Sequence, residues 1–361
     1  MIDDAATPPR ILHFPTDVGG NPSGLARAER RLGAHSTVAV IHRSSLAYDV
    51  DVDLDLASSS RFHRTLRRAA FAVRCLHRYD LFHFNFAQTF LPRLGPFGVD
   101  LPLLRALGKR IFMTFQGCDV RRKDYCRDHY EISCCGNDSG PGLCRLHDDP
   151  AKERAVAYAR RFAHRLFCLN PDLLNIIPDA DFIPYASVDP ADVSPVPARP
   201  DRKLTLIHAP TSRLIKGTDR ILHVAEQLRS RFDIDWRLVE GLPHAEAMRQ
   251  YRHADLAIDQ LKVGWYGAFA VEMMALGKPV VCYIRDADLR HLPPAMAEEL
   301  PVIRATPDSL LDVLSDLMHA PQRLVELGQR SRAFVQRWHD PLKIARRLLQ
   351  LYRDPSLPFW N

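Results

Sequence analysis

The sequence predicts an α/β protein built from two doubly wound, Rossmann-like domains facing across a cleft. Short apolar runs alternate with amphipathic helical stretches through the first half of the chain, the order that βαβ units require. The alternation breaks at VDPADVSPVPARPDR, residues 188–202, which carries four prolines and almost no large apolar side chain, as a linker would. A second alternating series then begins, and 361 residues suffice for two domains of ordinary size. The expected division is 1–188, a linker at 189–202, a second domain at 203–338 and a terminal segment at 339–361.

In the first series, strands are expected at residues 11–14, 37–41, 81–86, 110–115 and 166–169, each a short apolar run of strand length. Helices are expected between them at 25–32, 60–78, 101–107 and 150–164, where the apolar period lengthens. The second series gives strands at 204–208, 236–239, 256–259 and 280–283, with helices at 218–230, 245–253, 268–276, 309–319 and 322–338. A closing helix is expected at 341–352. In open parallel sheets ligands sit beyond the carboxyl ends of the strands, so the loops after strands are where chemistry is expected.

Composition narrows the class. With 46% hydrophobic and 25% charged residues, disordered and fibrous architectures are excluded. No window approaches eighteen consecutive apolar residues, and the opening MIDDAATPPR is acidic and proline-bearing, so a soluble cytoplasmic protein is expected. Arginine makes up 41 of the 49 basic residues, yet the net charge of +6 is dispersed, and RRLGAHS, RTLRRAA and YARRFAH read as solvated helix faces. No nucleic-acid partner is expected. The modest charge offers no specific support for a peripheral membrane contact, which stays open, as does the oligomeric state.

Eight cysteines without a secretory leader argue for reduced thiols or a metal site. Cys126, Cys134, Cys135 and Cys144, with His129 and His147 nearby, supply enough ligands for a tetrahedral zinc but lack the paired C-x-x-C form. Free thiols in an irregular insertion near 118–148 are the other reading, and no metal is assigned to the reaction. The GNDSGPG stretch within it reads as a loop overhanging the acceptor side.

Two segments carry chemistry. LTLIHAPTSRLIKGTDRILHVAEQL runs from a buried-type strand through Arg213, Lys216 and Gly217 into a helix capped by Thr218. A helix N-terminus supplies unpaired N–H groups and the positive end of its dipole, Gly217 permits close backbone approach, and two cations bind phosphate oxygens. Neither G-x-x-x-x-G-K-[ST] nor G-x-G-x-x-G is present. In DLAIDQLKVGWYGAFAVEMMALGKPVVCYI, a strand ends at Asp259 and a helix opens near Gly267, so Gly267, Ala268 and Phe269 offer further backbone donors. Glu272 projects from a helix face otherwise made of Ala268, Phe269, Ala275 and Leu276, so a partner or a ligand hydroxyl must hydrogen-bond it.

Together these segments resemble the donor half of retaining GT-B glycosyltransferases of the family 4 type. The resemblance covers most of residues 203–338 and includes the "HAEAMRQYRHADLAIDQ" and "VEMMALGKPVV" stretches. It implies that Arg213 and Lys216 hold the diphosphate of a UDP- or GDP-type nucleotide sugar and that Glu272 holds its ribose. These three residues form the candidate catalytic set. DVGGNPSGLARAERRL resembles the family's first glycine-bearing loop, where Gly19 and Gly20 approach the diphosphate or acceptor, and YDLFHFNF and KRIFMTFQGCDVR resemble its next strands. His83, Gln116 and Asp119 are candidate substrate contacts. His83 could equally be a core histidine, and Asp119 could pair locally with Arg121.

The sequence departs from the family at two positions. Where the family has the first of two glutamates eight residues apart, this chain has Gly264, and the family's histidine after the TF strand is Gln116. Asp259 or Asp119 are the candidates to replace them. The resemblance implies hexosyl transfer with retention, with no required cofactor, onto a glycan, lipid-linked or small-molecule acceptor. The alternatives are a catalytically inactive GT-B binding protein, suggested by the two departures, or another GT-B activity such as a phosphorylase or an epimerase.

Overall fold

A computed structural model describes residues 8–91, 99–135 and 148–360. The chain divides into two compact units, the first comprising Met1–Val120, Asp148–Ala186 and Pro341–Asn361, the second Arg121–His147 and Ser187–Asp340.

The chain runs through β1 (Arg10–Phe14), α1 (Asn21–Arg31), β2 (His35–Val40), β3 (Val52–Asp53), α2 (Arg61–Arg78), β4 (Leu81–Asn85), α3 (Asp100–Ala106) and β5 (Arg110–Phe115). After α4 (Lys123–His129), which belongs to the second unit, come α5 (Asp149–Phe162), β6 (Arg165–Cys168) and β7 (Asp181–Phe182). The seven strands form one sheet in the order β3-β2-β1-β4-β5-β6-β7, every pairing parallel. Because crossovers between parallel strands are right-handed, α1 lies on one face while α2, α3 and α5 lie on the other.

Strands covered on both faces bury their polar members too, and those need partners. His13 is within 2.8 Å of Glu29, and the Ser36 hydroxyl donates to the same carboxylate oxygen at 2.6 Å. His83, fully buried, hydrogen-bonds the Tyr352 hydroxyl at 2.5 Å and Thr114 at 2.6 Å. Both ring nitrogens are taken and burial holds its pKa well below the ordinary value, so the structure gives His83 a core role in place of the expected substrate contact. It anchors Tyr352 on α13 (Pro341–Arg353), the closing helix, which packs on α1 in this first unit.

The second unit continues with β8 (Leu204–His208), α6 (Arg213–Lys216), α7 (Thr218–Arg229), β9 (Ile234–Leu238), α8 (His244–His253), β10 (Leu256–Ile258), α9 (Ala268–Ala275), β11 (Val280–Cys282), α10 (Pro294–Glu298), β12 (Ile303–Arg304), α11 (Leu310–His319) and α12 (Arg323–Trp338). Its parallel sheet has the order β12-β11-β10-β8-β9. The core joins Leu206, Ile221, Val224, Leu228, Ile258 and Leu314, uniting β8, β10, α7 and α11.

Several elements differ from expectation for local reasons. The first helix opens at Asn21, earlier than residue 25, because Gly19 and Gly20 adopt φ of +63° and +66° and reverse the chain directly into a Pro22-bearing first turn. Strands β3, β7 and β12, of two residues each, and the single turn α6 are too short to show a period. The cysteine-bearing insertion, expected within the first domain, sits with the second unit from Arg121 onward. The reason is packing: Cys126, Cys134 and Cys135 bury against Val263, with Tyr130 and Ile215 alongside.

Candidate functional site

The site is built where β8 and β10 end. His208, the last residue of β8, has its Nδ1 2.8 Å from the Ile258 carbonyl and its Nε2 2.9 Å from the Thr218 hydroxyl. A carbonyl only accepts, so Nδ1 carries the proton and Nε2 accepts from Thr218. One neutral ring thereby fixes β8, β10 and the start of α7. Burial pushes the His208 pKa down to about 4. The folded state thus disfavours the imidazolium: the stability this ring contributes is complete above the unfolded pKa of about 6.5 and is lost as pH falls toward the folded value. The melting temperature should fall on acidification from about pH 7 to about pH 5, and the fall should flatten in His208→Asn, which has no group titrating there.

Beyond β8, Ser212 leads into the single turn α6, and Gly217, at φ +75°, turns the chain from α6 into α7. That reversal aims Lys216 back at β10. Its Nζ lies 2.6 Å from Oδ1 of Asp259, whose side chain is fully buried, while Oδ2 accepts the Gly267 amide at 2.7 Å. The Lys216 carbonyl accepts the Leu261 amide at 3.0 Å. Asp259 therefore clamps the β8–α7 connection to the residue that opens α9. A Cβ on Gly267 would stand 3.1 Å from the Lys216 ammonium, so the glycine permits this approach. The result is a cation, a helix N-terminus without a side-chain cap and backbone N–H groups at one place, with the balancing carboxylate behind them.

One turn along α9, Glu272 is 3% exposed, and its Oε1 takes a 2.7 Å bond from Nε2 of His244 at the start of α8. Among the described residues no other hydrogen bond to this carboxylate is found, which leaves Oε2 as an acceptor. His244 is a site residue that the sequence reading did not single out. Its visible signal was the Pro-His step opening a helix, with the partner's identity encoded only in three dimensions. Arg213 is brought elsewhere: its guanidinium makes a two-pronged pair with Glu240, at 2.9 and 2.5 Å, and is half exposed.

Gly264 adopts φ +89°, and a Cβ there would stand 2.7 Å from Nη1 of Arg285. That guanidinium donates to Asp288 at 2.8 Å and to the Ile132 carbonyl at 3.0 Å, and lies 3.5 Å over the Tyr130 ring. A cation thus occupies the surroundings of the position where the resembling family carries a carboxylate.

In the first unit, Gly19 and Gly20 form the turn before α1, and a Cβ on Gly20 would collide with the Tyr48 ring at 2.7 Å. Beside this turn is a cavity of about 180 Å³, lined in part by Thr16, Asp17, Val40, Tyr48 and Gln88. The buried Thr16 hydroxyl has no hydrogen-bond partner among the described residues. Asp119 receives the amides of Gln116, at 3.1 Å, and Gly117, at 2.6 Å, and so organises the turn after β5. Gln116 donates to Asn85 at 3.4 Å, and its buried Oε1 has no partner among the described residues.

Of the thiols considered for zinc, Cys126, Cys134 and Cys135 are buried together, the last two with sulfurs 3.8 Å apart. Cys144 and His147 lie outside the described residues. Among the described residues, no group of three His, Cys, Asp or Glu side chains is arranged to hold a metal.

No protein-family model matches this chain, and no curated protein sequence does. Solved structures match along nearly the whole length and show the GT-B fold. Sucrose-phosphate synthase from Thermosynechococcus elongatus has 15% identity and a TM-score of 0.61, covering 97% of this chain and 99% of that one. HepE from Anabaena, in complex with UDP and glucose, has 12% identity and a TM-score of 0.60, covering 96% and 99%. A putative UDP-N-acetylglucosamine 2-epimerase from Listeria monocytogenes has 14% identity and a TM-score of 0.54, covering 98% of each chain.

Proposed function

We propose that this chain is a glycosyltransferase that takes a hexose from a nucleotide diphosphate sugar, with retention at the anomeric carbon. The observation that carries the reading is the convergence of Lys216 and Gly267 on Asp259 at the opening of α9, with Glu272 one turn further on. Lys216 and the first amides of α9 would receive the diphosphate, and the free oxygen of Glu272 a ribose hydroxyl. As the anomeric C–O bond to phosphate breaks and the acceptor oxygen bonds to that carbon, negative charge grows on the diphosphate, where this cation and these N–H groups stabilise it. The acceptor proton leaves to the departing phosphate oxygen or to solvent. The cavity beside Gly19 and Gly20 is assigned to the acceptor. UDP is the favoured base because the similarly folded HepE structure holds UDP.

The test is thermal stabilisation by UDP, GDP and their glucose and mannose conjugates. A ligand at about a hundred times its Kd adds about 2.7 kcal/mol to apparent stability. One base should stabilise selectively, and Glu272→Gln should weaken that base's effect by about tenfold in Kd through loss of a charge-assisted bond. Absence of any shift across the panel overturns the donor assignment. The Arg285 guanidinium against Gly264 favours a second reading, a nucleotide-binding protein without turnover. It is selected if the nucleotide binds and no sugar is released or transferred.

A further inference from the structure

Every large apolar side chain counted as exposed in the described chain lies in the first unit, and most belong to α2 or to α3 and its flanks. On α2, Phe62, Leu66 and Val73 are 75%, 55% and 61% exposed. At the helical repeat of about 100° per residue these three fall within about 40° of arc. They stand opposite Phe71 and Cys75, the only buried residues of this 18-residue helix. The segment expected to be a solvated face therefore presents an apolar stripe outward. On α3 and the residues that cap it, the exposed Val99, Leu103 and Leu107 repeat every fourth residue and form a second stripe in the same layer, since right-handed crossovers place both helices on one face of the sheet.

Charge identifies the occupant. Helix α2 carries six arginines and no acidic residue. Arg64 and Arg68 are committed to backbone carbonyls, of Ala57 and Ser59 and of Thr89 and Phe90. Arg61, Arg67, Arg74 and Arg78 meet no carboxylate among the described residues. Arg67 and Arg74 flank the stripe on one side and Arg61 on the other. A second copy of this face would oppose arginine to arginine, whereas an anionic bilayer surface offers headgroups to the arginines and hydrocarbon to the stripe. No helix among the described residues is long and apolar enough to cross a membrane, so the helix would lie on the surface.

We infer that the exposed face of α2, extended by α3, docks this protein on membranes rich in anionic lipid. The inference is independent of the donor site. The experiment is co-sedimentation of the full chain with vesicles of phosphatidylcholine alone and of phosphatidylcholine and phosphatidylglycerol in equal parts, at low and high salt. The wild type should sediment with the anionic vesicles only, and less at high salt. Arg67→Gln with Arg74→Gln should weaken partitioning by about thirtyfold, from about 1 kcal/mol per arginine. Phe62→Ser, Leu66→Ser and Val73→Ser together should weaken it by roughly tenfold or more with melting temperature unchanged, since all three are exposed. Should that triple variant fail to fold, the arginine pair decides the matter. The inference is overturned if wild type ignores anionic vesicles, if both variants sediment as well as wild type, if wild type is a dimer that the triple variant dissociates, or if it binds a nucleic-acid duplex in preference to vesicles.

Discussion

Replacing Lys216 by alanine is expected to reduce sugar transfer by about a hundredfold to a thousandfold, the usual consequence of removing one group aimed at charge developing in the transition state. The structure adds a second consequence. Asp259 is fully buried, and once Nζ is gone its carboxylate keeps, among the described residues, only the Gly267 amide. A buried charge stripped of its partner costs about 3–5 kcal/mol, so the variant should also melt lower, with its remaining negative charge facing any incoming diphosphate. The two effects can be separated. Lys216→Met combined with Asp259→Asn removes the stranded charge, and it should recover much of the melting temperature while recovering little activity. Measuring kcat/KM and Tm on all three proteins checks both statements; full activity in Lys216→Ala would remove Lys216 from the site.

Gly328→Ala should be the most damaging single methyl in the second unit. A Cβ there would stand 2.1 Å from the Gly277 carbonyl oxygen and 3.1 Å from its carbonyl carbon, both backbone atoms. A flexible side chain could swing away from such an approach, but here α12 would have to separate from the turn that ends α9. Overpacking of this kind costs about 3 kcal/mol, which for a unit of this size lowers Tm by about 10 °C. Because Gly277 closes the helix that carries Glu272, nucleotide binding should weaken below the new transition as well. Gly33→Ala is the contrast. At φ +89° with nothing within 4 Å of the added carbon, it should cost only the conformational penalty of about 1–2 kcal/mol. Equal losses in the two variants, followed by thermal melts, would show that the close approach of α12 does not limit stability.

The order of elements was legible because it rests on local chemistry. Runs such as RIFMTF and LTLIH form strands over the residues where their apolar continuity begins and ends, since parallel strands are buried on both faces. Glu272 was legible for a similar reason: a carboxylate on an apolar helix face demands a partner wherever the helix is placed. Lys216 and Gly217 stood out because of the strand, loop and helix that surround them. What stayed hidden was the identity of partners. Nothing local says that Lys216 reaches Asp259 while Arg213, three residues earlier, turns to Glu240. His83 shows the converse: it lies in the middle of β4, and its side chain anchors Tyr352, far along the chain.

The sequence by itself determined the α/β class, the two alternating series of elements and the strand, loop and helix order around Lys216, because periodicity, glycine placement and helix openings act over a few residues. Tertiary structure alone decided which unit receives the cysteine-bearing segment, which cation faces Asp259, that Arg285 fills the space beside Gly264, and that the apolar stripe of α2 points outward. Those outcomes depend on which surfaces meet across tens or hundreds of residues, where the balance lies between desolvation, packing and charge pairing, and no local pattern encodes that balance.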